Sequence, residues 1–308
     1  MAHTAAKGAL LKIRLKRFKY FYIMLLPVII WYILFCYAPM YGVVTAFQDY
    51  AMHKGILGSP WVGMKHFQAL GGDVFFWRAF KNTLIIALMR LVFEFPIPVI
   101  LALMVNELKS KWFKQSVQTV LYLPHFLSWI ICASIFVNII NADEGLFPIL
   151  MNRIFGLPMQ NYVTGRTFRW VLVITNLWKE VGWNMIIFIA SMSSIDPMLY
   201  EAAVVDGAKR IQLVLHITLP GIANVVVVVL ILMIGSILNT GFDQVFNLQN
   251  PLVMETGDII GTYVLRTATE DAKFSYASAV GLFNSVISTV LLLFANRFAR
   301  AMGQSGIY

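Results

Sequence analysis

Residues 176–184, NLWKEVGWN, place Asn176, Trp178, Lys179, Glu180, Trp183 and Asn184 within about two and a half helical turns. Indole faces cover the weakly apolar C–H faces of pyranose rings, while amides and carboxylates bind hydroxyls, so the cluster suits sugar recognition in a cavity. Helical spacing puts Asn176, Glu180 and Trp183 on one face. For Trp178 and Lys179 the competing reading is anchorage of a helix end at a membrane interface. Arg90 and Glu94 stand four apart and predict an ion pair on one helix face, structural first and part of a charge relay second. Asn239, Thr240 and Asp243, with Asn284, Ser285 and Ser288, are further pathway candidates whose amides and hydroxyls equally suit bonds between helices. No histidine–carboxylate cluster has metal-ligand spacing, and no Gly-x-x-x-x-Gly-Lys-Ser/Thr phosphate loop occurs, so ATP hydrolysis by that route is excluded for this chain.

A second chemistry-bearing segment is EAAVVDGAKRIQLVLHITLP, residues 201–220. Asp196 predicts an N-cap and Pro197 the first helical position, where a missing amide costs no bond. Glu201, Ala202 and Ala203 follow in the helix body, Asp206 adds a charge, and Gly207 supplies the left-handed residue that ends a helix. An amphipathic run from Ala208 to Ile217 is expected to close at Leu219 and Pro220. Helix, hinge and helix make a docking element: the alanines permit close backbone approach, and Glu201 offers a carboxylate to a basic group.

The elements that hold these residues must be membrane helices. The chain is 59% hydrophobic and 13% charged, with a mean hydropathy of +0.74, values that no ordinary soluble domain shows. At about 20 apolar residues per crossing, six spans are expected near 20–38, 83–105, 117–139, 170–194, 218–239 and 277–296. The first is preceded by Lys12, Arg14, Lys16, Arg17 and Lys19 but is long and lacks a small-residue cleavage site, so it reads as retained. Pro96 and Pro98 are expected to kink the second. Cys36 and Cys132 both fall within spans and read as packing residues. Positive-inside counting puts both termini in the cytoplasm with thirteen cations against four acids, while nine cations and nine acids balance outside. The basic excess is therefore topology and anionic-lipid contact, with no nucleic-acid partner. The expected architecture is an all-α integral membrane protein: a basic segment 1–19, one six-helix domain 20–300 with a cytoplasmic loop 196–220, and a tail 301–308.

The spacing Glu-Ala-Ala, three residues, Gly, nine residues, Ile-x-Leu-Pro resembles the EAA loop of the permeases of binding-protein-dependent ATP-binding cassette importers, matched here by Glu201, Ala202, Ala203, Gly207, Ile217, Leu219 and Pro220. Over nearly the whole chain, stretches such as PMYGVVTAFQDY, LPHFLSW, DQVFNLQNPLVMETGDIIGTYVLR and the terminal GQSGIY resemble the carbohydrate branch serving polysaccharide fragments, including alginate- and pectin-derived oligosaccharides. The resemblance implies an importer-permease core whose cytoplasmic coupling helix carries Glu201, Ala202, Ala203, Asp206, Gly207 and Pro220. It implies a second homologous permease, two cytoplasmic ATP-binding cassette subunits that bind ATP and Mg, and an extracytoplasmic solute-binding protein docking on the long external loops. The chain itself would be a non-catalytic subunit without a cofactor, multi-pass in a bacterial cytoplasmic (inner) membrane. Oligosaccharide would pass by alternating access, with Asn176, Glu180, Trp183, Asn184, Asn239, Asp243 and Asn284 along its path. The rival classes are an ion-gradient transporter with Arg90, Glu94 and Glu180 as relay, and a membrane enzyme pairing Glu180 with Asp243.

Overall fold

Proline and glycine decide where the apolar runs bend. The computed structural model describes residues 17–140, 145–156, 158, 163–165, 167–239 and 241–301; Thr240, Arg166, Asp143, Glu144, most of the basic N-terminal segment and the tail GQSGIY lie outside them. The described residues are helical, with one isolated bridge between Gln48 and Trp61. Three helices are individually long and apolar enough to cross a membrane: α1 (Lys19–Phe47), the continuous run Val74–Asn106 formed by α2 (Val74–Glu94) and α3 (Pro96–Asn106), and a C-terminal helix at Phe274–Ala301. Three bent pairs satisfy the same test jointly, giving up to six crossings if each pair is one span.

The expected third span, 117–139, is not one straight helix. α4 (Lys111–Tyr122) runs into a 3-10 turn at Leu123–Phe126, the chain turns by 100°, and α5 (Trp129–Ile140) departs. Pro124 tightens the turn, the extended Leu127 leaves the helix, and the Ser128 hydroxyl and carbonyl receive the amides of Ile131 and Cys132 to start α5. α6 (Phe168–Met192) is an unbroken helix of 25 residues, followed after a 72° bend by the short α7 (Pro197–Val205). α8 (Arg210–Gly221) and α9 (Ala223–Ser236) meet at 59°. Then come α10 (Phe242–Leu248), α11 (Ile260–Thr269) and α12 (Phe274–Ala301).

Two prolines sit inside helices that sequence reasoning ends before them. Each is the second residue after a five-residue π turn: Ile33–Tyr37 precedes Pro39, and Val214–Thr218 precedes Pro220. The amides of Ala38 and Leu219 bond five residues back, to Ile33 and Val214. Lengthening the turn displaces the carbonyl that a proline ring would strike in an α-helix. The first helix consequently reaches Phe47, and α8 passes through Pro220 to Gly221.

The bundle packs in sections. Val99, Ala102 and Val105 of α3 meet Met185, Phe188 and Met192 of α6, with Ile222 closing the cluster. Phe168 and Leu172 at the other end of α6 join Ile86, Ala133, Val245 and Leu248, while Phe76 and Ala79 of α2 pack on Ile260, Tyr263 and Val280. Gly182 allows the closest backbone approach, where α6 passes the end of α4. α1 buries none of its residues over Lys19–Tyr32, and its Cys36 faces outward, whereas Cys132 is buried as expected; both are free.

Candidate functional site: a charged cavity and an exposed coupling segment

α6 carries Asn176, Glu180 and Asn184 at four-residue intervals, and all three line one cavity of about 430 Å³. Arg90 and Glu94 of α2, Phe95 and Pro98 at the α2–α3 junction, Trp129 of α5, Gly241, and Val229, Leu232 and Met233 of α9 complete much of its wall. The expected kink at Pro96 and Pro98 is only a one-residue interruption at Phe95 within a continuous span, and Phe95 and Pro98 both line the cavity.

The expected Arg90–Glu94 pair is present but loose, Nε to Oε1 at 3.6 Å, and neither of those atoms has a hydrogen bond. Other partners hold the groups. The Asn176 amide donates to Glu94 Oε2 at 2.6 Å. The Arg90 guanidinium donates to the Gln244 side-chain oxygen, and the Gln244 amide donates to the Leu172 carbonyl (2.7 Å) and Thr175 hydroxyl (2.6 Å). Gly241 lies against the same guanidinium, where a Cβ would fall 2.5 Å from Nη1. Buried charge is thus held by three helices, the arrangement low-dielectric surroundings require.

Glu180 has its own partners. His125 Nδ1 donates to Glu180 Oε2 at 2.7 Å, and Lys179 Nζ lies 3.0 Å from Glu180 Oε1. Lys179 also donates to the His125 carbonyl at 2.7 Å and is only 5% exposed. The anchoring reading is therefore wrong for Lys179, which ties α6 to the 3-10 turn. Trp178 is exposed and packs edge-on to Phe136.

Several expected pathway residues lie elsewhere. Trp183 is absent from the cavity wall; it stacks on His125 with ring centroids 4.3 Å apart. The four-residue ladder, not the seven-residue step, sets the lining face. Asp243 is exposed in the first turn of α10, and its buried neighbour Gln244 points to Arg90 instead. With Asp243 outside the cavity wall, no Glu180–Asp243 catalytic pair forms there. Asn284 of α12 donates to Asn239, in the turn after α9, at 2.6 Å, a bond outside the cavity lining. Gln244, Gly241 and Trp129 were missed by sequence reasoning. A glycine and a glutamine on either side of Phe242 and Asp243 were the available signal.

The candidate coupling segment, residues 196–220, has the expected start and hinge. Asp196 accepts the Met198 amide at 2.9 Å, Pro197 opens α7, and Gly207 has φ +80°. α7 buries none of its residues, leaving Glu201 and Ala202 exposed. Asp206 and Gly207 are exposed at the turn. The second limb is α8, with Pro220 inside it.

A third polar group fastens the start of α2. Asp73 Oδ1 accepts the amides of Phe75 and Phe76, and Oδ2 accepts the hydroxyls of Tyr263 and Tyr276, each at 2.5 Å. Burial alone would raise the Asp73 pKa, but these four donors outweigh it and hold the carboxyl below its ordinary range. Burial, then the bond to Asp73, pushes Tyr263 up to about 12.

Residues 94–304 match the model of a family described as binding-protein-dependent transport system inner membrane component. The chain is 43% identical to the polygalacturonan/rhamnogalacturonan transport system permease protein YteP of Bacillus subtilis (strain 168), covering 97% of this chain and 93% of that protein. It is 40% identical to the protein LplB of the same organism, over 99% and 96% of the two. A crystal structure of a bacterial alginate ABC transporter in complex with alginate pentasaccharide-bound periplasmic protein contains a chain that superposes with a TM-score of 0.87 at 39% identity, covering 96% of this chain and 98% of that one.

Proposed function

The chain belongs to the family of binding-protein-dependent transport system inner membrane components, and on that premise we propose that it is the permease subunit of an ATP-driven importer moving oligosaccharides, acidic ones of pectin or alginate type foremost, across the bacterial cytoplasmic membrane. One continuous path carries this reading: the exposed α7 leads through Gly207 and α8 into α9, whose Val229, Leu232 and Met233 line the charged cavity. Movement imposed at Glu201, Ala202, Ala203 and Asp206 is thereby delivered to the cavity wall.

Both termini and the 196–220 loop are cytoplasmic in this scheme, which follows the distribution of basic residues. Two ATP-binding cassette subunits take up ATP and Mg, and their closure displaces α7. A second homologous permease pairs with this chain, and a solute-binding protein delivers sugar from outside. The names and titles of the relatives, which mention pectic polymers and alginate, support the substrate class. Within the cavity, Asn176, Glu180 and Asn184 offer polar atoms to hydroxyls and Trp129 a ring face. Alternating access requires that the binding protein favour one of two states of the permease pair.

The test is reconstitution of the full complex in liposomes with uptake and ATP hydrolysis measured over a panel of acidic and neutral oligosaccharides. Stimulation of both by uronate oligomers is expected. Stimulation only by neutral sugars would remove the substrate assignment. Uptake driven by a proton gradient without ATP would favour the rival, in which Arg90, Glu94 and Glu180, gathered at one cavity, form a relay.

A further inference from the structure

The two limbs of the coupling segment are joined by a pair of hydroxyls outside its signature residues. The phenolic oxygen of Tyr200, one position before Glu201, lies 3.0 Å from the hydroxyl of Thr218 across the hinge. Thr218 is 2% exposed and ends the π turn of α8. The Thr218 hydroxyl also lies 3.4 Å from the Leu213 carbonyl, and either hydroxyl can donate in the pair.

Little else fixes the angle between the limbs. α7 buries none of its residues, and the open side of Gly207 meets no atom within 4 Å of a would-be Cβ. Close to the turn, the Ala208 and Gly207 amides bond to Ala203 and Val204, which closes the tip. At the base, Gly221 presses on Ile195, where a Cβ would sit 2.7 Å from Cδ1. The segment is therefore closed at its tip, packed at its base and braced between them by Tyr200 and Thr218.

We infer that the Tyr200–Thr218 pair is the positioning contact that makes α7 and α8 move as one body, so that displacement of α7 reaches α9 instead of being absorbed by rotation at Gly207. This rests on the importer reading above. Neither residue need touch the ATPase or the sugar; the pair acts by holding an angle. A hydroxyl–hydroxyl bond of about 1 kcal/mol is equivalent to a several-fold bias toward the braced arrangement, here with Thr218 buried and Tyr200 half-buried.

The test uses the complete reconstituted importer and reads ATP hydrolysed per oligosaccharide imported. Tyr200→Phe and Thr218→Val should each raise that ratio about threefold or more, with complex yield and basal ATP hydrolysis unchanged. Their combination should be no worse than either alone, and Thr218→Ser should keep the wild-type ratio. A wild-type ratio in Tyr200→Phe, or uptake and hydrolysis falling in proportion, overturns the inference. Should Thr218→Val fail to assemble, Tyr200→Phe with Thr218→Ser carries the comparison. Glu201→Lys is measured beside them: uncoupling there with a normal Tyr200→Phe defeats the brace alone, whereas a normal ratio in Glu201→Lys defeats the coupling assignment and the brace with it.

Discussion

Gly182 and Leu121 touch backbone to backbone: a Cβ on Gly182 would lie 2.1 Å from the Leu121 carbonyl oxygen. This contact sets how near α6 comes to α4, and so where the 3-10 turn bearing His125 meets Glu180. Gly182→Ala cannot be absorbed by a rotamer change, because the obstacle is main chain. An overpacking cost of about 1–3 kcal/mol is expected, with α4 pushed aside. A lowered thermal midpoint of the purified subunit, together with weaker sugar-stimulated uptake, checks it; an unchanged midpoint would show that α4 yields freely.

The carboxylate at Asp73 predicts a pH window. Because its folded pKa is depressed, its contribution is present above the ordinary carboxylate value of about 3.9 and is lost as pH falls through the lower folded value. Tyr263 is raised to about 12, so its contribution is present below the ordinary tyrosine value near 10 and is lost as pH rises through 12. Tyr263→Phe should cost about 1–2 kcal/mol at neutral pH and should weaken both limbs of a thermal-midpoint profile, because it removes the phenol that titrates at alkaline pH and one of the donors that hold the Asp73 carboxyl down.

Removing one member of the Arg90 network should be far worse than removing two. Arg90→Ala strands Glu94 in a buried site and leaves Gln244 without its guanidinium partner, for an expected loss of about 3–5 kcal/mol. Combining Arg90→Met with Glu94→Gln should recover a large part of that. Comparing thermal midpoints of the single and double variants decides the matter, since additive losses would mean that the charges do not sense one another.

Glu201→Lys and Gly207→Pro should both separate ATP hydrolysis from uptake while the subunit still inserts. The first reverses the charge presented by an exposed helix, and the second demands φ near −65° where the chain has +80°. Membrane fractionation and paired uptake and hydrolysis assays supply the readout; wild-type transport in both would reject α7 as the coupling element.

The sequence was most legible where local chemistry decides structure. Asp196, Pro197 and Gly207 need only their neighbours to start and end a helix, and apolar length alone marked the three helices able to cross a membrane singly and, without their bends, the three broken pairs. It was least legible where a side chain's setting depends on a distant break. Lys179 looks like a snorkelling lysine until the turn at Leu123–Phe126 brings the His125 carbonyl to it. Asp243 and Gln244 are adjacent polar residues; only the left-handed Gly241, φ +86°, fixes which of them faces inward. Trp183 and Asn184 divide in the same way, since seven- and eight-residue steps along a helix fall on neighbouring faces.

Each π turn contains one residue more than an α turn, so everything beyond it is swung by about 100° around the helix axis. Deleting one residue within Val214–Thr218 would leave α9 equally greasy and equally able to enter the bilayer. It would nevertheless rotate Val229 and Leu232 off the cavity wall and present a different stripe to Glu94 and Glu180. The bulge thus acts as a dial on the cavity's lining, set by residue count and invisible to hydropathy.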